Sequence, residues 1–163
     1  MYKRILIPLD GSTSAEAVFP HIQPFVEAFD PEIILLQVLL EPHEEFAVPT
    51  SPLAPPKSIR KLQTKTQAYL KKACAKLEKE GMRATYLIRE GGIPETILEV
   101  ADIMQADLIA MSTHGHSRTH LFLWGSVTYK VVRHSSLPVL VIRSEQLESQ
   151  AITSEEILTA VKP

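Results

Sequence analysis

Five short apolar runs punctuate the chain: Ile5 to Leu9, Ile33 to Leu40, Ala84 to Ile88, Asp107 to Ser112 and Pro138 to Ile142. Several are continuous rather than alternating; ILIPL contains no polar residue at all. A strand covered on one face alternates apolar and polar side chains, whereas a strand buried on both faces reads as an unbroken apolar run. Helical patterns separate these runs, and alternation of strand and helix requires right-handed crossovers between parallel strands. The expected fold class is therefore α/β, a parallel sheet with helices on both faces. At 163 residues the chain suits one domain with one core.

The helical segments carry their own signals. Between Lys57 and Glu80, the residues Ile59, Leu62, Tyr69, Leu70, Ala73 and Leu77 fall near one helical face, with lysines and glutamates opposite. A second stripe, Ile93, Ile97, Val100, Ala101 and Met104, has Pro94 near its start, where a missing N–H costs nothing. The first helix should begin near Ser14, with that serine as its cap, and Pro20 and Pro24 predict a kink or an early end. Residues 41 to 56 hold five prolines and no period, so they read as an extended connection. From Ser144 the chain turns polar and then amphipathic, with a Thr153-x-x-Glu156 capping box before Ile157, Leu158 and Val161. These boundaries give a domain over residues 1–144 and a C-terminal tail, with a short helix, over 145–163.

Composition narrows the function classes. Lys and Arg number 17 against 19 Asp and Glu, for a net charge of -2, so no basic face grips a phosphate backbone and no nucleic-acid partner is expected. With 45% hydrophobic residues but no run as long as a membrane span, no membrane partner is expected and the chain reads as cytoplasmic. Cys74 is the one cysteine, which excludes an intramolecular disulfide and a multi-cysteine metal site; it reads as a half-buried helix residue without a redox role.

In open parallel sheets, ligands bind outside the carboxyl ends of the strands, where strand order reverses. Two strand exits qualify here. The first is Pro8-Leu9-Asp10-Gly11-Ser12, which sets a carboxylate, a glycine and a hydroxyl together. The second is Met111-Ser112-Thr113-His114-Gly115. Further on, Gly125-Ser126 precedes VTYKVVRH, a short helix whose free N–H groups and positive dipole end suit a phosphate. A plainer reading stands beside this one, in which Gly115 and Gly125 only turn and cap the chain. His114, His116 and His120 lack the i, i+4 helical placement and the acidic neighbour of a metal site. Ser126 lacks the second glycine of a G-x-S-x-G elbow, so no hydrolase nucleophile is evident. Trp124, with Leu121 to Leu123, reads as core or interface rather than base-stacking surface.

The run Ser112-x2-Gly115-x9-Gly125-Ser126, together with YKRILIPLDGSTSAEAV, REGGIPETILEVADIMQADLIAMSTHG and SSLPVLVIR, resembles the universal stress protein family. Nucleotide-binding members of that family carry G-x2-G-x9-G-[S/T] after the fourth strand, and the resemblance runs from Tyr2 to Arg143. It implies a doubly wound five-stranded parallel sheet of order 3-2-1-4-5, the adenine-nucleotide alpha-hydrolase-like fold, with ATP held between strands one and four. By position, Pro8, Leu9 and Asp10 would line the adenosine end and Val38 would meet adenine. Met111, Ser112, His114, Gly115, His116, Arg118, Gly125, Ser126, Val127 and Thr128 would surround ribose and phosphates, and Asp10 would hold any Mg²⁺ brought with ATP.

Two positions depart from the family pattern. Ser112 replaces the first glycine, so either its backbone avoids positive φ or the pocket is tighter. His116 stands where many members have Arg or Lys, leaving Arg118 to supply permanent charge. The implied role is a nucleotide-dependent sensor or stress-response binding module, with no catalytic residue assigned. The alternatives are a stress protein acting through protein contacts without nucleotide, and a slow ATPase or phosphotransferase. The apolar last strand, at the sheet edge in that order, implies a homodimer joined along it.

Overall fold

The computed structural model describes residues 1–40, 57–114 and 125–144. The proline-rich segment, the loop after the fourth strand and the C-terminal tail with its capping box lie outside the described residues. The strands are β1 (Arg4–Pro8), β2 (Glu32–Leu39), β3 (Arg83–Glu90), β4 (Leu108–His114) and β5 (Val139–Ser144). The helices are α1 (Phe19–Phe29), α2 (Lys57–Lys79), α3 (Ile93–Ile103) and α4 (Ser126–His134), with a 3-10 turn at Ala15–Val18 leading into α1. All strand pairs are parallel and the order is β3-β2-β1-β4-β5. The doubly wound α/β fold expected from the sequence is the fold observed.

The unbroken apolar runs are explained by two cores, one on each sheet face, rather than the single core expected, because the sheet itself divides the interior. Ile5, Ile7, Ile33 and Leu35 point into a core with Phe19 and Ile22 of α1 and Leu70, Ala73 and Leu77 of α2. Their sequence neighbours Leu6, Ile34 and Leu36 point the other way, onto Ile97, Val100 and Ala101 of α3 and Val131 of α4. Each of these seven strand positions in β1 and β2 has its side chain out of water, because a period of two meets helices on both sides. Cys74 is more deeply buried than expected, at 7% exposure, and burial, followed by the nearby Glu78 charge, pushes its thiol pKa up, away from reactivity.

Pro20 and Pro24 do not end the first helix. Pro20 falls in the first turn of α1, where no helical N–H is required, and the helix passes through Pro24 to Phe29. Both prolines are exposed, so a carbonyl deprived of its helical donor can bond water, while buried Phe19 and Ile22 hold the helix to the sheet. The helix stops at Asp30, which adopts left-handed geometry with φ of 47°.

Strands β1 and β4 are joined firmly at one end only. The Asp107 carboxylate accepts hydrogen bonds from the backbone N–H groups of Lys3 (2.6 Å) and Arg4 (2.9 Å), and Asp107 N–H donates to the Arg4 carbonyl (2.9 Å). The β1–β4 register then runs Ile5 to Leu108 and Leu6 to Ile109, and stops. Beyond that point β1 stays with β2, through Pro8 opposite Leu36 and the Leu9 N–H bond to Leu36 O (2.7 Å). Meanwhile β4 stays with β5 as far as His114 opposite Ser144. The two central strands therefore part toward their carboxyl ends.

The two backbone N–H bonds hold the Asp107 carboxyl below the usual carboxylate range. A depressed folded-state pKa contributes stability above the unfolded value of about 3.9 and loses it as pH falls through the folded value. Asp107→Asn should therefore cost about 1 kcal/mol at pH 7, by weakening charge-assisted bonds. Urea denaturation across pH checks this. The gap between wild type and variant should hold above about pH 5 and close below about pH 3.9; a gap that persists unchanged in acid contradicts the assignment.

Candidate functional site

The turn after β1 is built from its own side chains. Asp10 Oδ1 accepts the Ser12 N–H (2.9 Å), and Ser12 Oγ accepts the Ala15 N–H (3.1 Å), capping the 3-10 turn. Between them Gly11 takes φ of 88°, a conformation that glycine adopts without steric cost. Ser12, not Ser14, is thus the cap; the Ser14 side chain makes no capping bond. Because Ser14 already has helical geometry, with φ of -63° and ψ of -35°, the capping role falls two residues earlier.

Glu16 anchors the far side of this turn through a salt bridge to Lys76 of α2 at 3.2 Å. The Tyr69 hydroxyl lies beside Glu16 without a hydrogen bond of standard geometry. Burial first, then the charges of Glu16 and Asp10, push its pKa above the tyrosine range, so it stays protonated. Glu16, Tyr69 and Lys76 are supports that sequence reasoning missed. They come from a turn and a helix far apart in the chain, and none belongs to a recognisable motif.

Across the gap, β4 delivers Met111, Ser112 and His114. Met111 is buried in the α3/α4 core, so it backs the site rather than lining it openly. Ser112 occupies ordinary strand geometry opposite Ile142 and is not among the positive-φ residues. Its side chain points to the opposite face, where the hydroxyl donates to the Ser14 carbonyl at 2.6 Å. The serine thus fits without backbone strain, and the first of the two alternatives raised at this position is the one observed.

The N-terminus of α4 completes the described part. Gly125 is its N-cap and makes no side-chain capping bond, Ser126 is exposed, Val127 is half-buried, and Thr128 is buried at 3% exposure. Among the described residues no side chain caps the first-turn N–H groups, which suits an anion. Pro8 is half-buried, Leu9 buried and Asp10 exposed at the end of β1, and Val38 packs half-buried near the end of β2. The fold thus gathers Pro8, Leu9, Asp10, Val38, Met111, Ser112 and Gly125 to Thr128 at the carboxyl edge of the sheet, around the parting of β1 and β4. His114 ends β4, while Gly115, His116 and Arg118 lie outside the described residues.

Other surfaces offer less. A hollow at the opposite, amino edge is lined by Lys3, Arg4, Asp30, Glu32, Arg83 and Asp107, and most of its charges are engaged within the protein. Arg4 pairs with Glu32 at 3.4 Å, Arg83 pairs with Asp30 at 3.3 Å, and Asp107 serves the backbone of β1. Among the described residues no cluster of three or more His, Cys, Asp or Glu could hold a metal ion, and no helix is long and apolar enough to cross a membrane.

A five-stranded parallel sheet of order 3-2-1-4-5, with helices on both faces and its order reversing between β1 and β4, defines a doubly wound α/β domain. The universal stress protein family model matches residues 1–143, and the chain belongs to that family. Universal stress protein MJ0577 of Methanocaldococcus jannaschii is 30% identical over 155 residues, covering 88% of this chain and 96% of its own. Its solved structure superposes with a TM-score of 0.74 at 32% identity, covering 90% of this chain and 99% of that one. Two more distant structures share the fold. A universal stress protein in complex with cAMP has a TM-score of 0.64 at 22% identity, covering 88% and 98% of the two chains. The Archaeoglobus fulgidus protein in complex with dAMP has a TM-score of 0.62 at 19% identity, covering 86% and 98%.

Proposed function

We propose that this protein binds an adenine nucleotide, ATP in particular, in the crevice between β1 and β4, and acts as a nucleotide-dependent sensor or stress-response binding module. The observation that supports this reading is the N-terminus of α4, with Gly125 and exposed Ser126 on the carboxyl side of the sheet, where the central strands part. Solved family members in complex with cAMP and dAMP support it. The groups present fit a nucleotide. Val38, Pro8 and Leu9 offer an apolar wall to a base, and the α4 amides with the Ser126 hydroxyl offer donors to phosphate. His114 at the end of β4, with Gly115, His116 and Arg118 after it, would surround the ribose and phosphates together with Met111, Ser112, Val127 and Thr128. Exposed Asp10 would supply one carboxylate oxygen to Mg²⁺ carried by ATP. The roles are binding and positioning, with no side chain assigned to turnover.

Isothermal calorimetry with Mg·ATP tests this. Saturable binding is expected, with Ser126→Ala weakening it about tenfold through loss of a hydrogen bond to a charged group. No heat up to about millimolar ATP, weaker than roughly 4 kcal/mol of binding, contradicts the reading.

We also propose self-association through β5. It forms one edge of the sheet, and its Val139, Leu140, Val141 and Ile142 remain only half-buried. Sedimentation velocity on the intact chain should give a dimer; a monomer at every loading concentration contradicts it.

A further inference from the structure

The bond from Ser112 Oγ to the Ser14 carbonyl occupies a particular place. The β1–β4 ladder stops at Leu6 and Ile109, so Ser112 lies three residues past the last paired position of β4. Ser14 lies in the segment that follows β1. The bond therefore joins the two sides of the crevice beyond the point where backbone pairing ends. It is 2.6 Å long, half-shielded from water, and spans 98 residues of sequence.

The acceptor matters as much as the donor. The Ser14 carbonyl also accepts the Ala17 N–H (3.2 Å), so it is the first acceptor of the 3-10 turn that enters α1. Holding that carbonyl fixes the start of the turn relative to β4. The bonds from Ser12 N–H to Asp10 and from Ala15 N–H to Ser12 are local and give the segment its shape, and buried Ala15 and Val18 seat it on the core. Glu16 to Lys76 ties it to α2, on the side away from β4. A glycine at position 112 has no hydroxyl with which to make this contact.

We propose that Ser112 is a positioning residue, a strut that sets the Asp10–Ser14 turn against β4 and so presets the nucleotide crevice. Its consequence for affinity rests on the nucleotide reading above. A turn already held in place has less freedom to lose when ligand binds, and removing the strut moves that ordering cost into the binding step. The effect is distinct from direct contact with ligand, because it exists before ligand arrives.

The test compares wild type with Ser112→Ala, Ser112→Gly and Ser112→Thr, by amide hydrogen exchange without nucleotide and by calorimetry with Mg·ATP. Alanine and glycine should speed exchange in the segment from Ser12 to Val18 while leaving β2 and β3 protected, which also shows that the variants are folded. Threonine, which keeps the hydroxyl, should retain wild-type protection. ATP affinity should fall about fivefold to tenfold in alanine and glycine, the range of one hydrogen bond, and stay near wild type in threonine. Unchanged exchange in Ser112→Ala overturns the strut, and so does equal or tighter ATP binding by that variant. If wild type binds no ATP, the nucleotide reading fails while the exchange comparison still decides whether Ser112 holds the turn.

Discussion

The short pairing between β1 and β4 governs the rest of the molecule. Asp107 clamps the amino ends of the two strands with three backbone contacts, and the ladder releases them after Leu6 and Ile109. Chain connectivity requires this release. From β1 the chain crosses to β2 on one side, and from β4 it crosses to β5 on the other, so the covering helices leave in opposite directions. The gap between them is a product of topology, and the walls are rigid because Ile5 to Ile7 and Ile33 to Leu36 are fully buried beneath it. A polar site needs such a platform, since loose walls would lose binding energy to ordering.

Most of the fold was legible because burial on both faces leaves a strong mark. The runs at Ile5, Ile33 and Asp107 became β1, β2 and β4, and the stripes at Lys57 and Ile93 became α2 and α3. The limits of legibility were local. Pro20 and Pro24 read as breakers, but propensity yielded to tertiary packing of Phe19 and Ile22 and to an exposed face that tolerates unpaired carbonyls. The ends of β4 and β5 run two residues past the apolar runs, to His114 and Ser144, because ladder pairing continues where hydrophobicity stops.

The candidate site was legible in its glycines and less so in its hydroxyls. Spacing and resemblance both pointed to Ser112, Gly125 and Ser126, and the fold places the first at one wall of the crevice and the others at the start of α4. Ser14 was expected to cap with its side chain; it acts instead through its carbonyl, and Ser12 caps. No sequence rule signals a side chain that bonds the backbone of a residue 98 positions away. The departure from glycine at Ser112 therefore looked like a steric problem, while in the folded chain it contributes a tie across the crevice.

Ligand entry where β1 and β4 part, as proposed, has a direct signature in the backbone amides on either side of the gap. Backbone amide chemical shifts recorded while Mg·ATP is added to the labelled protein test it most directly. Shifts should concentrate at Leu9 to Ser14 and at Gly125 to Thr128, leaving the amino-edge amides of Gly81, Arg83 and Asp107 unmoved. Shifts centred on the amino edge, or none at saturating nucleotide, would contradict it.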